Sequence, residues 1–372
     1  MRVPFFDWPA LYAEQADVFD KVITSTLRKG SFILQQDVDD FERCLASYVG
    51  AKYAVGLSDG TNAILLGLRA SGLSKGDEIL IPSHSFIAAA QSIYHAGFVP
   101  IPVELSFKDW LLDVDRLNSA LTSRTRAIMP VHVNGRVCDM EGILRFADSN
   151  DLLVFEDAAQ AMGARFDGVC AGNFGLWGTF SFYPSKTLGS FGDAGALVTN
   201  SREIFEKVLS MRNHGADVEK RIPLDIDHWG TNCRLDNVHA AILNHKLKDY
   251  DRAVERRRII AQRYNDVLEG YPQVKLPPPP TMGGRNFDIF QNYEFCTENR
   301  DQLRAFLESK GIGTIVQWGG FGLHHLRKLV PGYDLPTTDR FFAQSLLLPL
   351  NHVMSDEDVD FVCGSLVQFY EE

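Results

Sequence analysis

The chain has 372 residues, 45% of them hydrophobic and 23% charged, a composition suited to a globular protein of about two domains. Its formal net charge of -11 excludes a nucleic-acid binder working through a basic footprint; the one basic cluster, residues 252–258, reads as the solvated face of a helix. Six cysteines without C-x-x-C spacing exclude an obvious zinc or iron–sulfur site and fit reduced thiols in a cytosol, and neither a signal-peptide pattern nor an apolar run of about 18 residues is present.

In chain order, residues 11–30 have helical spacing through Leu11, Val18, Val22 and Ile23, with Gly30 as the stop. A second helix is predicted over 37–48, with Val38, Phe41, Leu45 and Tyr48 on one face. Strands predicted at 52–57, 78–81 and 98–103 then alternate with helices at 61–71 and 85–95. Strands at 126–131, 152–155 and 195–199 and a helix from Met140 continue the pattern. Such alternation predicts an α/β fold, with a mainly parallel central sheet covered by helices. Residues 233–268 read as almost continuous helix, and the four prolines 277–280 mark a boundary after it. Signals at 293–296, 302–309 and 312–317 suffice for a small α+β unit. The expected division is a large domain, 1–245, and a small C-terminal domain, 246–372, connected by the long helix.

Lys186 sits on a turn between an apolar strand and a loop punctuated by Gly189, Gly192 and Gly195. A loop lysine is ordinarily a solvated one, and its company elsewhere in the chain is what singles this one out. Ser58-Asp-Gly-Thr-Asn62 joins a strand to a helix, so the N–H groups of Gly60 and Thr61 can seat a phosphate; the same pair is also ordinary helix capping. Phe86 can stack on a flat heteroaromatic ring or serve as a core residue. Asp157 follows an apolar strand and falls at the carboxyl end of the sheet, where it can keep a pyridine nitrogen protonated or simply cap a helix. Gln160 can reach the same ring, and Ser181 can add a hydroxyl to the phosphate seat.

Together these are the parts of a pyridoxal 5'-phosphate site. A protonated ring acts as an electron sink for a substrate carbanion, and Lys186 as a free amine can move the proton as general base and acid.

The ordered segments SDGTNA, PSHSFIAAA, EDAAQAMGA, FSFYPSKTLGSFGDAGALVTN, MRNHG and WGTNCRLDNVHAAIL span nearly the whole chain and resemble the DegT/DnrJ/StrS family of sugar aminotransferases. The resemblance implies the large fold of the aspartate aminotransferase superfamily, pyridoxal phosphate as cofactor, and a homodimer with active sites at the subunit interface. It implies that Asn232 reaches the cofactor phosphate of the partner subunit, that L-glutamate donates the amino group, and that a keto-sugar, usually nucleotide-linked, accepts it. The form YPSK-x-LG-x-x-GD-x-GA is similar to members that aminate C3 of a nucleotide-linked sugar, and Lys186 argues against the dehydratase branch that carries histidine there.

One segment departs from the family pattern. Where many nucleotide-sugar members carry a His-Tyr-Pro or His-Pro type sequence, this chain reads Gly313-Thr-Ile-Val-Gln-Trp-Gly-Gly-Phe321. That keeps open a sugar without a nucleotide, such as an oxidised 3-deoxy-octulosonic acid aminated at its terminal carbon for lipopolysaccharide. His84, Trp318, His324 and His325 would then be candidate substrate contacts, each with a structural reading of its own. A non-catalytic binder that keeps the fold is the reading of another class, against which Lys186, Asp157 and Gln160 stand together.

Overall fold

The computed structural model describes residues 2–216, 226, 228–281 and 283–371. Short apolar runs form β1 (Tyr53–Leu57), β2 (Glu78–Pro82), β3 (Val99–Val103), β4 (Thr125–Ile128) and β5 (Leu153–Asp157). A two-residue hairpin, β6 (Arg165–Phe166) and β7 (Val169–Cys170), leads into β8 (Trp177–Ser181) and β9 (Gly195–Thr199). Seven of these strands make one sheet in the order β1-β9-β8-β5-β4-β2-β3. β8, β5, β4, β2 and β3 are mutually parallel, whereas β9 is antiparallel to both β8 and β1. β1 therefore shares the common direction, and β9 is the single reversed strand. The central sheet is mainly parallel and covered by helices, as the sequence pattern predicts.

Its strands are apolar because both faces are covered: Leu80, Ile81, Phe155, Trp177 and Leu197 are fully buried. Because six strands point one way, their carboxyl ends gather the loops after Leu57, Pro82, Ile128, Asp157 and Ser181 along one edge. Reversed β9 brings its first residue to that edge. Gly195 lies so close to the turn before the first βα helix that a Cβ there would meet the Asp59 carbonyl carbon at 2.3 Å.

A second sheet, β10 (Val274–Lys275), β12 (Tyr293–Thr297) and β13 (Ser345–Leu348), carries its own buried core of Tyr264, Tyr293, Phe295, Leu303, Leu346 and Val359, among others. β11 (Asn286–Phe287) joins the hairpin of the large unit. The helix Tyr250–Leu268 spans both cores, contributing Tyr250 and Val254 to one and Ile260, Tyr264 and Leu268 to the other.

Three elements differ from the sequence expectation. The 233–268 helix is two helices, Asn237–Leu247 and Tyr250–Leu268. Its start is displaced because Asp236 bridges Ile33, while the Asn237 N–H donates to the Phe32 carbonyl and its side chain accepts from the Val38 N–H at 3.2 Å. A turn at Lys248–Asp249 then breaks it. The first helix likewise divides into Trp8–Ala13 and Ala16–Arg28 around Gln15. Residues 312–317 form no strand; Ile312 and Ile315 make single bridges to Val3 and Leu347 before a tight turn, Gln317–Gly320.

Beneath the carboxyl edge, fully buried Glu156 accepts the N–H groups of Gly172 (2.7 Å), Phe174 (2.6 Å) and Gly175 (2.8 Å) and faces His132 Nε2 at 3.0 Å. Removing such a buried acceptor strands all four donors. Glu156→Ala is expected to lose about 3–5 kcal/mol, read as an early shift of the denaturation midpoint, while an exposed control such as Glu203→Ala moves it little.

Candidate active site

The first βα turn is capped by Asp59, whose carboxylate accepts the Asn62 N–H at 2.8 Å. Asn62 donates back to Ser58 Oγ and Asp59, which stiffens the turn. The Gly60 and Thr61 N–H groups are among the first of the helix Gly60–Ala70 and have no carbonyl one turn back to bond. Ser181 lies against them: a Cβ on Gly60 would stand 3.0 Å from Ser181 Cβ. Gly60, Thr61 and Ser181, drawn from two strand ends, thus form one donor-rich corner.

Asp157 ends β5 and is buried. Its Oδ1 accepts the Ala159 N–H at 3.1 Å, while burial raises its carboxyl pKa against the opposing pull of that bond, Lys186 and His132. Gln160 accepts the Asn134 N–H at 2.7 Å. Phe86 precedes the helix Ile87–His95 in an extended conformation and is 55% exposed, so the expected helix start at 85 falls two residues late and leaves the ring outside the core. An aromatic face that exposed at a strand-end loop is free to stack on a flat ring.

Lys186 is half-buried after β8. Burial pushes its ammonium down to about 8, opposed by the carboxylate of Asp157. Two supports of this turn have no signal in the sequence. Gln291, more than a hundred residues away, accepts the Thr187 N–H (2.7 Å) and hydroxyl (2.9 Å) and donates to the Ser185 carbonyl (2.8 Å). The Gly189 carbonyl accepts from Lys246 Nζ at 2.7 Å. Asn134 extends the support of Gln160 outward, donating to Glu294 at 2.7 Å, and burial raises that carboxyl to about 7.

Asn232 stands apart. It is exposed, pairs through its backbone with Asn213, and has no hydrogen bond to Gly60, Thr61 or Ser181 among the described residues. Of the four residues in or near the divergent segment, three are tied into the packing. His84 is buried with Nδ1 2.9 Å from the Trp110 carbonyl, and burial lowers its imidazole to about 4. His324 and His325 both contact Asp339 Oδ1, at 2.8 and 2.7 Å, and His324 also contacts Ser83 Oγ at 2.6 Å. Trp318 alone approaches the site residues, its ring 5.1 Å from His84 and 6.4 Å from Phe86.

Residues 14–367 match the model of the DegT/DnrJ/EryC1/StrS aminotransferase family. The chain is 35% identical to a "Pleiotropic regulatory protein" of Geobacillus stearothermophilus, over 100% of this chain and 99% of that one. It is 36% identical to a dTDP-3-amino-3,4,6-trideoxy-alpha-D-glucose transaminase of Streptomyces venezuelae, over 94% and 91%. The crystal structure of S. venezuelae DesV in complex with a ketimine intermediate superposes with a TM-score of 0.93 at 34% identity, covering 100% of this chain and 99% of that one.

The pairing of Lys186 with Asp157 gives a signed expectation. The carboxylate favours the charged ammonium, so Asp157→Asn should move the Lys186 midpoint below about 8. The pH dependence of reductive methylation of Lys186 in cofactor-free protein measures this; an upward or unchanged midpoint would mean the two groups are not coupled.

Proposed function

The chain belongs to the DegT/DnrJ/EryC1/StrS aminotransferase family, and from that premise we propose that it is a pyridoxal-phosphate-dependent sugar aminotransferase moving an amino group from L-glutamate to a keto-sugar. The observation that carries the reading is Lys186, half-buried on its turn, with burial holding its amine near neutrality and buried Asp157 as its charge partner. A lysine so placed is suited to carbonyl chemistry, which requires a neutral amine.

The residues present fit the cofactor. Gly60, Thr61 and Ser181 would hold its phosphate, Asp157 and Gln160 the ring, Phe86 the ring face, and Lys186 its carbonyl carbon. When bound, the cofactor supplies the electron sink for a substrate carbanion. With it in place, Asp157 would keep a proton at the ring nitrogen and Lys186 would carry the proton at the reacting carbon. Exposed Asn232 is assigned to the phosphate of a partner subunit in a homodimer, in keeping with its having no hydrogen bond to the phosphate-seat residues of its own chain among the described residues.

The acceptor we favour is a nucleotide-linked 3-keto-deoxysugar, for surface polysaccharide or natural-product biosynthesis in the cytoplasm. The loop around Lys186 supports it, and so does the likeness to a relative named for a 3-amino sugar. No described helix is long and apolar enough to cross a membrane. The two buried cores support a division into 1–245 and 246–372, with the helix Tyr250–Leu268 rooted in both. A second reading, a sugar acid without a nucleotide, is supported by Trp318 standing beside Phe86.

Glutamate should bleach the visible absorbance of the loaded enzyme, whereas a protein that only binds the cofactor would keep its colour. Lys186→Ala is expected to lose turnover by about 10³-fold or more, and normal turnover in that variant would sink the assignment. In the reverse half-reaction, nucleotide-linked 3-amino sugars should convert. Conversion of a free 8-amino-octulosonic acid instead would select the second reading.

A further inference from the structure

The amide of Gln160 is oriented by one bond. Its Oε1 accepts the Asn134 N–H at 2.7 Å, and because a backbone N–H can only donate, the amide oxygen has to stand at that end. The other end, Nε2, makes no hydrogen bond among the described residues. Gln160 therefore keeps a free N–H donor, and which end of the amide is free depends on where Asn134 holds its own N–H.

Asn134 is itself held in a sparsely populated conformation. Its φ is 58°, in the left-handed region, inside the tight turn Val133–Gly135. That turn is pressed against the approach to β12. The Gly135 carbonyl accepts the Ile289 N–H at 3.0 Å, and a Cβ on Gly135 would stand 2.6 Å from Ile289 Cγ1 and 2.8 Å from the Gln291 nitrogen. The Asn134 side chain is clamped at both of its polar atoms. Its Nδ2 donates to Glu294 Oε2 at 2.7 Å, and its Oδ1 accepts from Asn292 Nδ2 at 2.9 Å. Glu294 is buried with its Oε1 unpartnered, and two further polar neighbours, His84 Nε2 and Ser345 Oγ, are unpartnered as well. A buried carboxyl with an unpaired oxygen costs stability, and Glu294 gives its other oxygen to Asn134.

We propose that Asn134, clamped by Glu294 and Asn292, is the positioning residue that decides which end of the Gln160 amide faces the ligand, so that an N–H donor meets an anionic oxygen there. The proposal rests on the aminotransferase reading above and deepens it. In pyridoxal phosphate the ring oxygen beside the carbonyl carbon is such an oxygen, and that carbon is the one Lys186 would hold. A donor at the oxygen favours its anion and weakens its pull on a proton shared with the Lys186 nitrogen, so the proton leaves at lower pH. Asn134 and Glu294 touch no ligand in this scheme; both act through Gln160. The segment that holds Asn134 also carries Gln291, which supports the Lys186 turn. One stretch next to the small core thus sets both the ring-oxygen donor and the lysine.

The test follows the visible absorbance of the cofactor-loaded protein against pH, a readout independent of turnover. Gln160→Leu, which removes the donor, should raise the midpoint by about one unit or more, tenfold in the proton equilibrium. Asn134→Gly keeps the left-handed turn and its N–H but frees the clamp. That variant and Glu294→Ala should each raise the midpoint by about half a unit or more. Glu294→Gln, which retains an oxygen for Asn134 Nδ2, should stay near the wild-type value. Adding Glu294→Ala to Gln160→Leu should give no further shift, because Glu294 acts only through Gln160. Unchanged midpoints in Asn134→Gly and Glu294→Ala, or additive shifts in the double variant, would overturn the positioning role. An unmoved midpoint in Gln160→Leu would remove Gln160 from the ring and the proposal with it. A wild type that takes up no cofactor and shows no visible band would refute the aminotransferase reading itself.

Discussion

A carboxylate removed from water has to be met by donors at every lone pair, and Glu156 is: three backbone N–H groups and an imidazole surround it. The constraint reaches further than local stability. Adjacent strand residues face opposite ways, so pinning Glu156 to one face at the end of β5 turns Asp157 to the other. The three N–H groups belong to the turn 172–175, which feeds directly into β8. That turn is packed so tightly that a Cβ on Gly178 would stand 2.2 Å from Gly172 Cα. One buried anion therefore sets both the orientation of Asp157 and the entry of the strand that delivers Ser181 and Lys186.

What could be read from the sequence follows from how local each signal is. The strand and helix alternation is written in runs of five to ten residues, and the sheet it implies is present. Gly60, Thr61, Asp157 and Lys186 stand out as candidates because each lies in or just after the end of a strand, where a glycine or acid marks the turn. Helix ends were less legible, since the start at Asn237 is set by contacts to residues 31–38, about two hundred positions earlier. Gln291 and Lys246 left no trace for the same reason. A lone glutamine before a strand and a lysine on a helix become supports of the Lys186 turn only once the two cores are brought together. Asn232 is a different case: the family resemblance alone names it, and among the described residues its backbone pairs with Asn213 rather than with Gly60, Thr61 or Ser181.

The net charge of -11 and the positive surroundings of Lys186 are compatible because the acids and the cations are distributed differently. Many acids are exposed in helical pairs such as Glu203–Lys207 and Glu141–Arg145, where solvent screening leaves each pair worth little. Lys186, Lys246 and Arg257 are instead drawn inward, where the field of a single charge is weakly screened. An acidic exterior repels bulk anions, while the interior presents a short-range positive well to one that enters. The arrangement favours ligands whose negative charge is compact and can be fully desolvated.

The divergent segment lies near Phe86, with the Trp318 ring 6.4 Å from the Phe86 ring. There Trp318, Gly319 and Gly320 all have φ between 50° and 79°, a left-handed run that two glycines tolerate and a tryptophan adopts against its steric preference. Surrounding packing has to hold it. Trp318 contacts the ring of His84, and the following His324 is locked between Ser83 and Asp339, so both ends of the segment are fastened to the loop that also carries Phe86. The strained aromatic is thus positioned relative to that loop rather than to the small sheet. Substitutions within 317–325 can then change the surroundings of Phe86 while Lys186, Asp157 and Gly60, anchored through β1, β5 and β8, keep their geometry. On the proposed function, a change confined to this segment would bear on which sugar is taken and leave the chemistry at Lys186 untouched.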